Sequence, residues 1–113
     1  MVKKYVPQKG DIVFINFNPQ AGREQKGQRP ALVISPKQYN EKVGLALFCP
    51  ITSQIKAYPF EVNLPIKLKT RGAILSDHLK SLDWQARKAK FVEKLPSAQL
   101  EEVMQKLQAL LFA

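Results

Sequence analysis

Hydrophobic residues fall into short runs along most of this chain and into a helical stripe near its end. Two runs near the start, Asp11–Phe17 and Ala31–Ser35, have apolar residues at successive positions. Continuous runs of this length predict strands that are buried on both faces. A third buried strand is predicted at Leu45–Cys49, and the prediction ends it at Pro50.

The second half of the chain contains shorter runs. Phe60–Leu64 alternates apolar and polar residues, which is typical of a half-exposed strand. Further short strands are predicted at Gly72–Ser76, Leu79–Leu82 and Lys88–Leu95, and one helical turn is predicted around Gln38–Glu41.

The hydrophobic period changes near the C-terminus. Ser97 follows Pro96 and is predicted to cap a helix. Beyond it, apolar residues recur at steps of three and four and form one stripe: Leu100, Val103, Met104, Leu107, Leu110 and Leu111. Many short strands and one terminal amphipathic helix indicate a mainly β (α+β) fold, a small and partly closed β-barrel with short helices.

The length of the chain predicts a single domain spanning residues 1–113, because this length suits one hydrophobic core. No stretch approaches the roughly 20 apolar residues that cross a bilayer. The basic start of the chain lacks the apolar segment of a signal peptide, so we expect a cytoplasmic protein. Cys49 is the single cysteine and is expected to be a buried structural thiol.

Charge points to a polyanionic partner. The chain carries 18 Lys and Arg residues against nine Asp and Glu, a net charge of +9. Such an excess attracts nucleic acids through counterion release, although it does not identify which polyanion is bound.

A long polar loop between the first two predicted strands is the first candidate for chemistry. It carries Arg23, Glu24, Lys26 and Arg29. Arg29 directly precedes Pro30 and a buried strand, so its backbone should be held firmly, and its guanidinium can bond two phosphate oxygens. The alternative is a surface arginine that pairs with Glu24.

The motifs that the sequence lacks narrow the chemistry further. There is no phosphate-binding loop of the GxxxxGK[ST] type and no HExxH or GxSxG motif, and no acidic cluster resembles a magnesium site. His78 is the single histidine, which excludes a two-histidine mechanism within one subunit. Metal-free cleavage remains plausible for RNA, because the ribose 2′-OH supplies the nucleophile and the enzyme aligns it and neutralises the phosphoryl charge.

Two hydroxyl side chains, Thr52 and Ser53, follow the third predicted strand. At the end of a buried strand they can face a cleft. The alternative is a turn in which a hydroxyl bonds its own backbone.

Three blocks of sequence resemble the MazF/PemK family of toxin endoribonucleases. The first runs from Gly10-Asp through Glu24-Gln-Lys-Gly-Gln-Arg-Pro to Ser35-Pro36. The second is Pro50-Ile-Thr-Ser-Gln-Ile-Lys-Ala-Tyr-Pro-Phe-Glu-Val, and the third extends from Gly72 to Arg87. The chain most closely resembles the chromosomal enterobacterial type, which suggests a cut motif such as the triplet ACA.

The resemblance implies an SH3-like barrel and a set of site residues. Arg29 and Thr52 match the catalytic pair, and Glu24 matches a glutamate implicated in activity. The residues expected to bind RNA are Gln28, Ser53, Lys56, His78, Lys80 and Arg87, with His78 standing where relatives usually have glutamine. Asp77 is interpreted as a support for a neighbouring loop, and Trp84 as a core or dimer-interface residue rather than a base-stacking one.

The implied function is that of a type II toxin: a sequence-specific, metal-independent endoribonuclease that cuts single-stranded mRNA and leaves 2′,3′-cyclic phosphate and 5′-OH ends. No cofactor is expected. The expected partners are RNA, a second copy of the chain and an antitoxin with an extended acidic segment, and no membrane partner is expected. Two alternatives remain open: a CcdB-like toxin that binds a protein such as gyrase, and a basic SH3-like module that binds RNA without cutting it.

Overall fold

A computed structural model describes residues 4–18 and 27–112 of the chain. Within these residues the structure has seven strands, two α-helices and one 3₁₀ turn. The strands are β1 (Asp11–Asn16), β2 (Gln28–Val33), β3 (Leu45–Thr52), β4 (Glu61–Asn63), β5 (Ala73–Leu75), β6 (Lys80–Asp83) and β7 (Lys90–Lys94). The helices are α1 (Lys37–Val43) and α2 (Ser97–Phe112), and the 3₁₀ turn is Ser76–His78.

The strands form one antiparallel sheet in the order β4-β5-β3-β2-β1-β7, and β6 pairs with β3 beside this path. The first part of β3 pairs with β6, from Leu45 to Phe48, and its last two residues, Ile51 and Thr52, pair with β5. The predicted class, mainly β with short helices and a C-terminal helix, is confirmed. The sheet is not closed, because its path ends at β4 and at β7 in the described residues.

Predicted strand ends are wrong at β2, which runs from Gln28 to Val33 and not from Ala31 to Ser35, and at β3, where the reason is instructive. β3 does not stop at Pro50 but continues to Thr52. Pro50 falls between the residues that pair with β6, which end at Phe48, and those that pair with β5, which begin at Ile51. At such a change of partner a strand tolerates a residue that has no N–H to donate.

The helices also differ from prediction at their ends. α1 is longer than the single turn predicted, and Gly44 ends it in a left-handed conformation (φ 84°) with its N–H bonded to the Asn40 carbonyl. α2 begins at Ser97, and the carbonyl of Pro96 accepts the N–H of Leu100 at 3.1 Å, so Pro96 rather than Ser97 stands at the cap position.

Two apolar clusters cover the sheet. The first includes Leu32, Cys49 and Ile51 and is covered by Val103 and Leu107 of α2. The apolar stripe on α2 extends beyond this core. Leu110 and Leu111, in the last turn of the helix, are exposed and belong to neither cluster. The buried residues of the second cluster are Val13, Ile15, Phe17, Ala31, Val33, Ala46, Phe48, Leu82 and Trp84.

Cys49 and Trp84 are both buried, as predicted for core residues. Burial, with a smaller contribution from the charge of Asp77, raises the pKa of the Cys49 thiol to about 12, so the thiol is a poor nucleophile at neutral pH. The indole Nε1 of Trp84 donates to the carbonyl of Asn40 at 2.9 Å. Trp84 therefore belongs to the core.

Asn40 is the centre of a buried polar cluster. Its Nδ2 donates to the carbonyls of Pro7 (2.8 Å) and Ser35 (3.0 Å), and its Oδ1 accepts the Ser35 hydroxyl at 2.5 Å. The Ser35 hydroxyl oxygen in turn accepts the N–H of Leu47 in β3. This cluster joins the N-terminal segment, α1 and the first half of β3. None of the described helices has the length and apolar character that crossing a membrane requires.

Candidate active site

A pocket of about 540 Å³ opens at the C-terminal end of β3. Its walls come from the end of β3, the loop 53–60, the start of β4, the end of β5 and the 3₁₀ turn. Eight residues line it, and all but Leu75 are polar or charged: Thr52, Gln54, Lys56, Tyr58, Glu61, Asp77 and His78. Three residues that the sequence predicted for the site, Thr52, Lys56 and His78, therefore share one pocket.

Strands β2 and β3 bring Arg29 and Thr52 to the same end of the sheet. The paired residues of these strands run as far as Ala31 opposite Pro50, and Arg29 and Thr52 each lie two residues beyond that pair. Because side chains alternate between faces along a strand, Arg29 shares the face of Ala31, and Thr52 shares the face of Pro50. The predicted catalytic pair thus belongs to one end and one face of neighbouring strands.

Thr52 is held closely by its surroundings. Its side chain is buried, and its Oγ1 accepts the N–H of Gln54 at 3.1 Å. This is the turn interaction considered as the alternative for Thr52, and it still leaves the hydroxyl proton available to a ligand. On the other side, a Cβ placed on Gly72 (φ 115°) would lie 1.9 Å from the Thr52 carbonyl oxygen, so only glycine allows this approach.

The loop that forms one wall of the pocket is anchored by Glu61. The Glu61 carboxylate accepts the N–H of Lys56 at 3.1–3.2 Å and the N–H of Ala57 at 2.8 Å. Ala57 has a left-handed backbone conformation (φ 58°). The alternating pattern predicted a half-exposed strand here, yet Glu61 is buried, because its carboxylate is occupied by the backbone of this loop.

A second contact fastens the same loop to the 3₁₀ turn. The hydroxyl of Tyr58 donates to Asp77 Oδ1 at 2.6 Å, and Nε2 of His78 lies 4.0 Å from the same oxygen. Partial burial, the hydrogen bond to Asp77 and the nearby negative charges raise the pKa of Tyr58, so this hydroxyl stays protonated at neutral pH. The contact agrees with the interpretation of Asp77 as a support for a neighbouring loop.

The other predicted residues lie outside the pocket lining. Gln28 is exposed at the start of β2, Ser53 is exposed directly after β3, and Lys80 is half-buried at the start of β6. The half-buried Arg87 donates from its guanidinium to the carbonyls of Asn16 (3.0 Å) and Asn18 (2.5 Å), which gives it a structural role at the end of β1. Glu24 lies outside the described residues.

Sequence reasoning did not assign Gln54, Tyr58 or Glu61 to the site. All three lie within the second block, Pro50 to Val62, so the block itself was the signal. The turn at Lys56–Ala57 brings their side chains into the lining of the pocket.

A model of PemK-like, MazF-like toxins of type II toxin–antitoxin systems matches residues 8–111. The chain belongs to this family. It is 41% identical over 111 residues to the endoribonuclease toxin MazF of Escherichia coli K12, covering 98% of this chain and 99% of that protein. It is 31% identical to the Escherichia coli endoribonuclease PemK, covering 92% of this chain and 81% of PemK.

Solved structures of the family give the same result. MazF from Deinococcus radiodurans superposes with a TM-score of 0.94 at 51% identity, covering 97% of this chain and all of that one. A chain of a MazE–MazF structure from the same organism superposes with a TM-score of 0.87 at 52% identity, covering 96% of this chain and 97% of that one. Both superpositions cover nearly the whole of this chain.

Proposed function

We propose that this PemK/MazF-family toxin is an endoribonuclease that cuts single-stranded RNA, chiefly mRNA, through attack of the ribose 2′-OH on the adjacent phosphorus. The products are a 2′,3′-cyclic phosphate and a 5′-OH end. The observation that carries the proposal is the position of Arg29 and Thr52 at one end of β2 and β3, beside a polar pocket, in a chain 41% identical to an endoribonuclease toxin.

Each residue of the site has a role that its chemistry permits. Arg29 stabilises the negative charge that grows on the phosphoryl oxygens, since its planar guanidinium can donate two parallel hydrogen bonds. The Thr52 hydroxyl donates a hydrogen bond to the same phosphate. Glu24 accepts the 2′-OH proton or orients Arg29. Lys56 contacts the RNA backbone from the pocket wall, and His78 contacts a base.

The remaining predicted contacts extend the RNA site beyond the pocket. Gln28 and Ser53 adjoin the catalytic pair in sequence and are exposed at the surface. Lys80 and Arg87 add positive charge along the RNA path, and Arg87 acts there while it holds the end of β1. The net charge of +9 strengthens this attraction for a polyanion.

The reaction is proposed to need no metal ion. A 2′-OH nucleophile aligned with its own phosphate removes the need for a metal-bound hydroxide, and arginine supplies the charge stabilisation. Cleavage in excess EDTA at the rate seen in untreated buffer is the expected result. Cleavage that stops in EDTA and returns with added Mg²⁺ would contradict metal independence while leaving the nuclease activity in place.

Two measurements on one long RNA test the function itself. Mapping of fragment ends is expected to show a short recurrent motif with a cyclic phosphate on one side and a 5′-OH on the other. A single 2′-deoxy substitution at the cut position should then abolish cleavage there. Intact RNA in the first measurement would favour a toxin with a protein target or a module that only binds RNA, and cutting at the deoxy position would exclude 2′-OH attack.

The proposed partners follow from the same surface. Solved MazE–MazF structures of Deinococcus radiodurans contain an antitoxin. We propose that this chain, with a net charge of +9, likewise binds a cognate antitoxin, whose extended acidic segment competes with RNA for the same surface. We also propose that the chain, a single toxin domain, acts as a homodimer in the cytoplasm, where mRNA is found.

A further inference from the structure

Glu61 is a buried acid in the wall of a site proposed to bind a polyanion. Both of its carboxylate oxygens accept backbone N–H groups, those of Lys56 and Ala57. Two successive N–H groups that converge on one point form an anion-binding nest, and here the chain fills that nest with its own carboxylate. Glu61 is therefore engaged with the loop, and its exposed fraction is 9%.

The turn that Glu61 holds has an unfavourable backbone conformation. Ala57 has φ 58°, a region that side chains other than glycine seldom adopt and that costs of order 1 kcal/mol. The backbone N–H of Glu61 also donates to the Tyr58 carbonyl at 3.0 Å, which closes the loop onto the first residue of β4. The carboxylate thus holds a turn that the loop sequence alone disfavours.

The turn orients three side chains that line the pocket. Lys56 is part of the turn, Gln54 precedes it and Tyr58 follows it. We propose that Glu61 is a positioning residue: by holding the turn at Lys56–Ala57 it aims Lys56 at the RNA backbone. This inference rests on the proposed function for its ligand. It adds that a negative charge in the pocket wall strengthens the binding of a negatively charged substrate.

The direction of the change in RNA affinity when the Glu61 charge is removed tests the proposal. If Glu61 acted only through its charge, Glu61→Gln would strengthen RNA binding, since it removes a negative charge from a site for an anion. If Glu61 positions Lys56, the same variant weakens binding. The probe is a single-stranded RNA oligonucleotide carrying the mapped cut motif, with a 2′-deoxy nucleotide at the cut position so that binding is measured without cleavage.

The chain supplies a matched control in Glu93. Its carboxylate accepts the N–H of Lys69 (3.1 Å) and of Thr70 (2.8 Å), so it anchors a second loop in the same manner. That loop does not contribute to the pocket lining. Glu93→Gln removes the same charge and loosens a loop, and we expect it to leave RNA affinity and turnover unchanged.

The expected results form a double-mutant cycle with Lys56→Ala. Glu61→Gln and Lys56→Ala should each weaken RNA binding by about tenfold, equivalent to about 1.4 kcal/mol. Each should also make the slope of log affinity against log salt concentration shallower by about one, the change expected for the loss of one phosphate contact. The double variant should bind no more weakly than Lys56→Ala alone, because Glu61 acts through Lys56. Tighter or unchanged binding in Glu61→Gln, or additive losses in the double variant, would overturn the proposal.

Rescue by glycine separates positioning from a general loss of folding. Glycine adopts the left-handed region without steric cost, so Ala57→Gly should restore part of the affinity lost in Glu61→Gln. A thermal melt of each variant checks that the proteins are folded. Failure of the wild-type chain to cut RNA would refute the proposed function. If the wild type cuts RNA and Glu61→Gln binds RNA as tightly as the wild type does, this inference alone is refuted.

Discussion

The two halves of β3 have different pairing partners and different surroundings. The first half, Leu45 to Phe48, pairs with β6, and the Asn40 cluster and Trp84 form buried hydrogen bonds around it. The second half pairs with β5 and ends at Thr52 beside a polar pocket. The partner changes at Pro50, so one strand carries a core at one end and a candidate active site at the other.

The comparison indicates that this small domain keeps its stabilising polar contacts apart from its candidate active site. At the first end, buried polar groups bond to one another and to backbone, which leaves them unavailable to a ligand. At the second end, polar side chains line a pocket, where Glu61 bonds the backbone of the neighbouring loop and Gly72 packs against the Thr52 carbonyl. Substitutions at the first end should therefore change stability, and those at the second end should change activity.

The largest expected effect is that of Arg29→Ala at the pocket end. Loss of one donor to the transition state costs about 10²–10³ in turnover, and we expect at least that loss of RNA cleavage with little change in melting temperature. Arg29→Lys should recover little, because an ammonium cannot reproduce the bidentate geometry. Near-normal turnover of Arg29→Ala in a single-turnover assay would show that the assignment of Arg29 is wrong.

Gly72→Ala and Gly44→Ala compare the two ends of β3 directly. Both glycines have positive φ, but a Cβ on Gly72 would meet the Thr52 carbonyl oxygen at 1.9 Å, whereas a Cβ on Gly44 would meet nothing within 4 Å. Gly44→Ala should cost about 1 kcal/mol of stability from backbone strain alone. Gly72→Ala should cost more and also reduce cleavage, because it displaces Thr52. Equal losses of stability and equal activities, measured by denaturant unfolding and by RNA cleavage, would contradict the comparison.

Asn40→Ala tests the core end. It removes the groups that satisfy the Pro7 carbonyl and the Ser35 hydroxyl, and each unsatisfied buried partner costs about 1–3 kcal/mol. We expect a clear drop in the free energy of unfolding and unchanged turnover per folded molecule at low temperature. A selective loss of turnover with wild-type stability would mean that the core end also controls the chemistry.

Tyr58→Phe is expected to have the smallest effect. It removes one hydrogen bond, to Asp77, while the loop keeps its anchor on Glu61, so RNA affinity should fall only a few-fold for a bond worth about 1 kcal/mol. The pKa of Tyr58 is raised above its ordinary value, so the hydroxyl stays protonated below about pH 10. The pH profile of cleavage should therefore keep its shape from pH 6 to about pH 9. A shifted profile would assign Tyr58 a proton-transfer role.

Much of this molecule could be predicted from its sequence. The helical period between Leu100 and Leu107 predicted α2, and the apolar runs predicted the strands. The match of Arg29 and Thr52 to two family blocks located the candidate catalytic pair. These features depend on local spacing, which a single chain displays directly.

The tertiary structure decided the features that depend on distant partners. The continuation of β3 through Pro50 follows from a change of neighbouring strand, and the exposure of Leu110 follows from where the core ends. The burial of Glu61 and the bond between Tyr58 and Asp77 require a loop to fold back onto strands that lie elsewhere in the sequence. The sequence by itself thus determined the elements and the chemical groups, because period and residue type are local. Only packing determined which of those groups share a pocket, because that is set by contacts across the sheet.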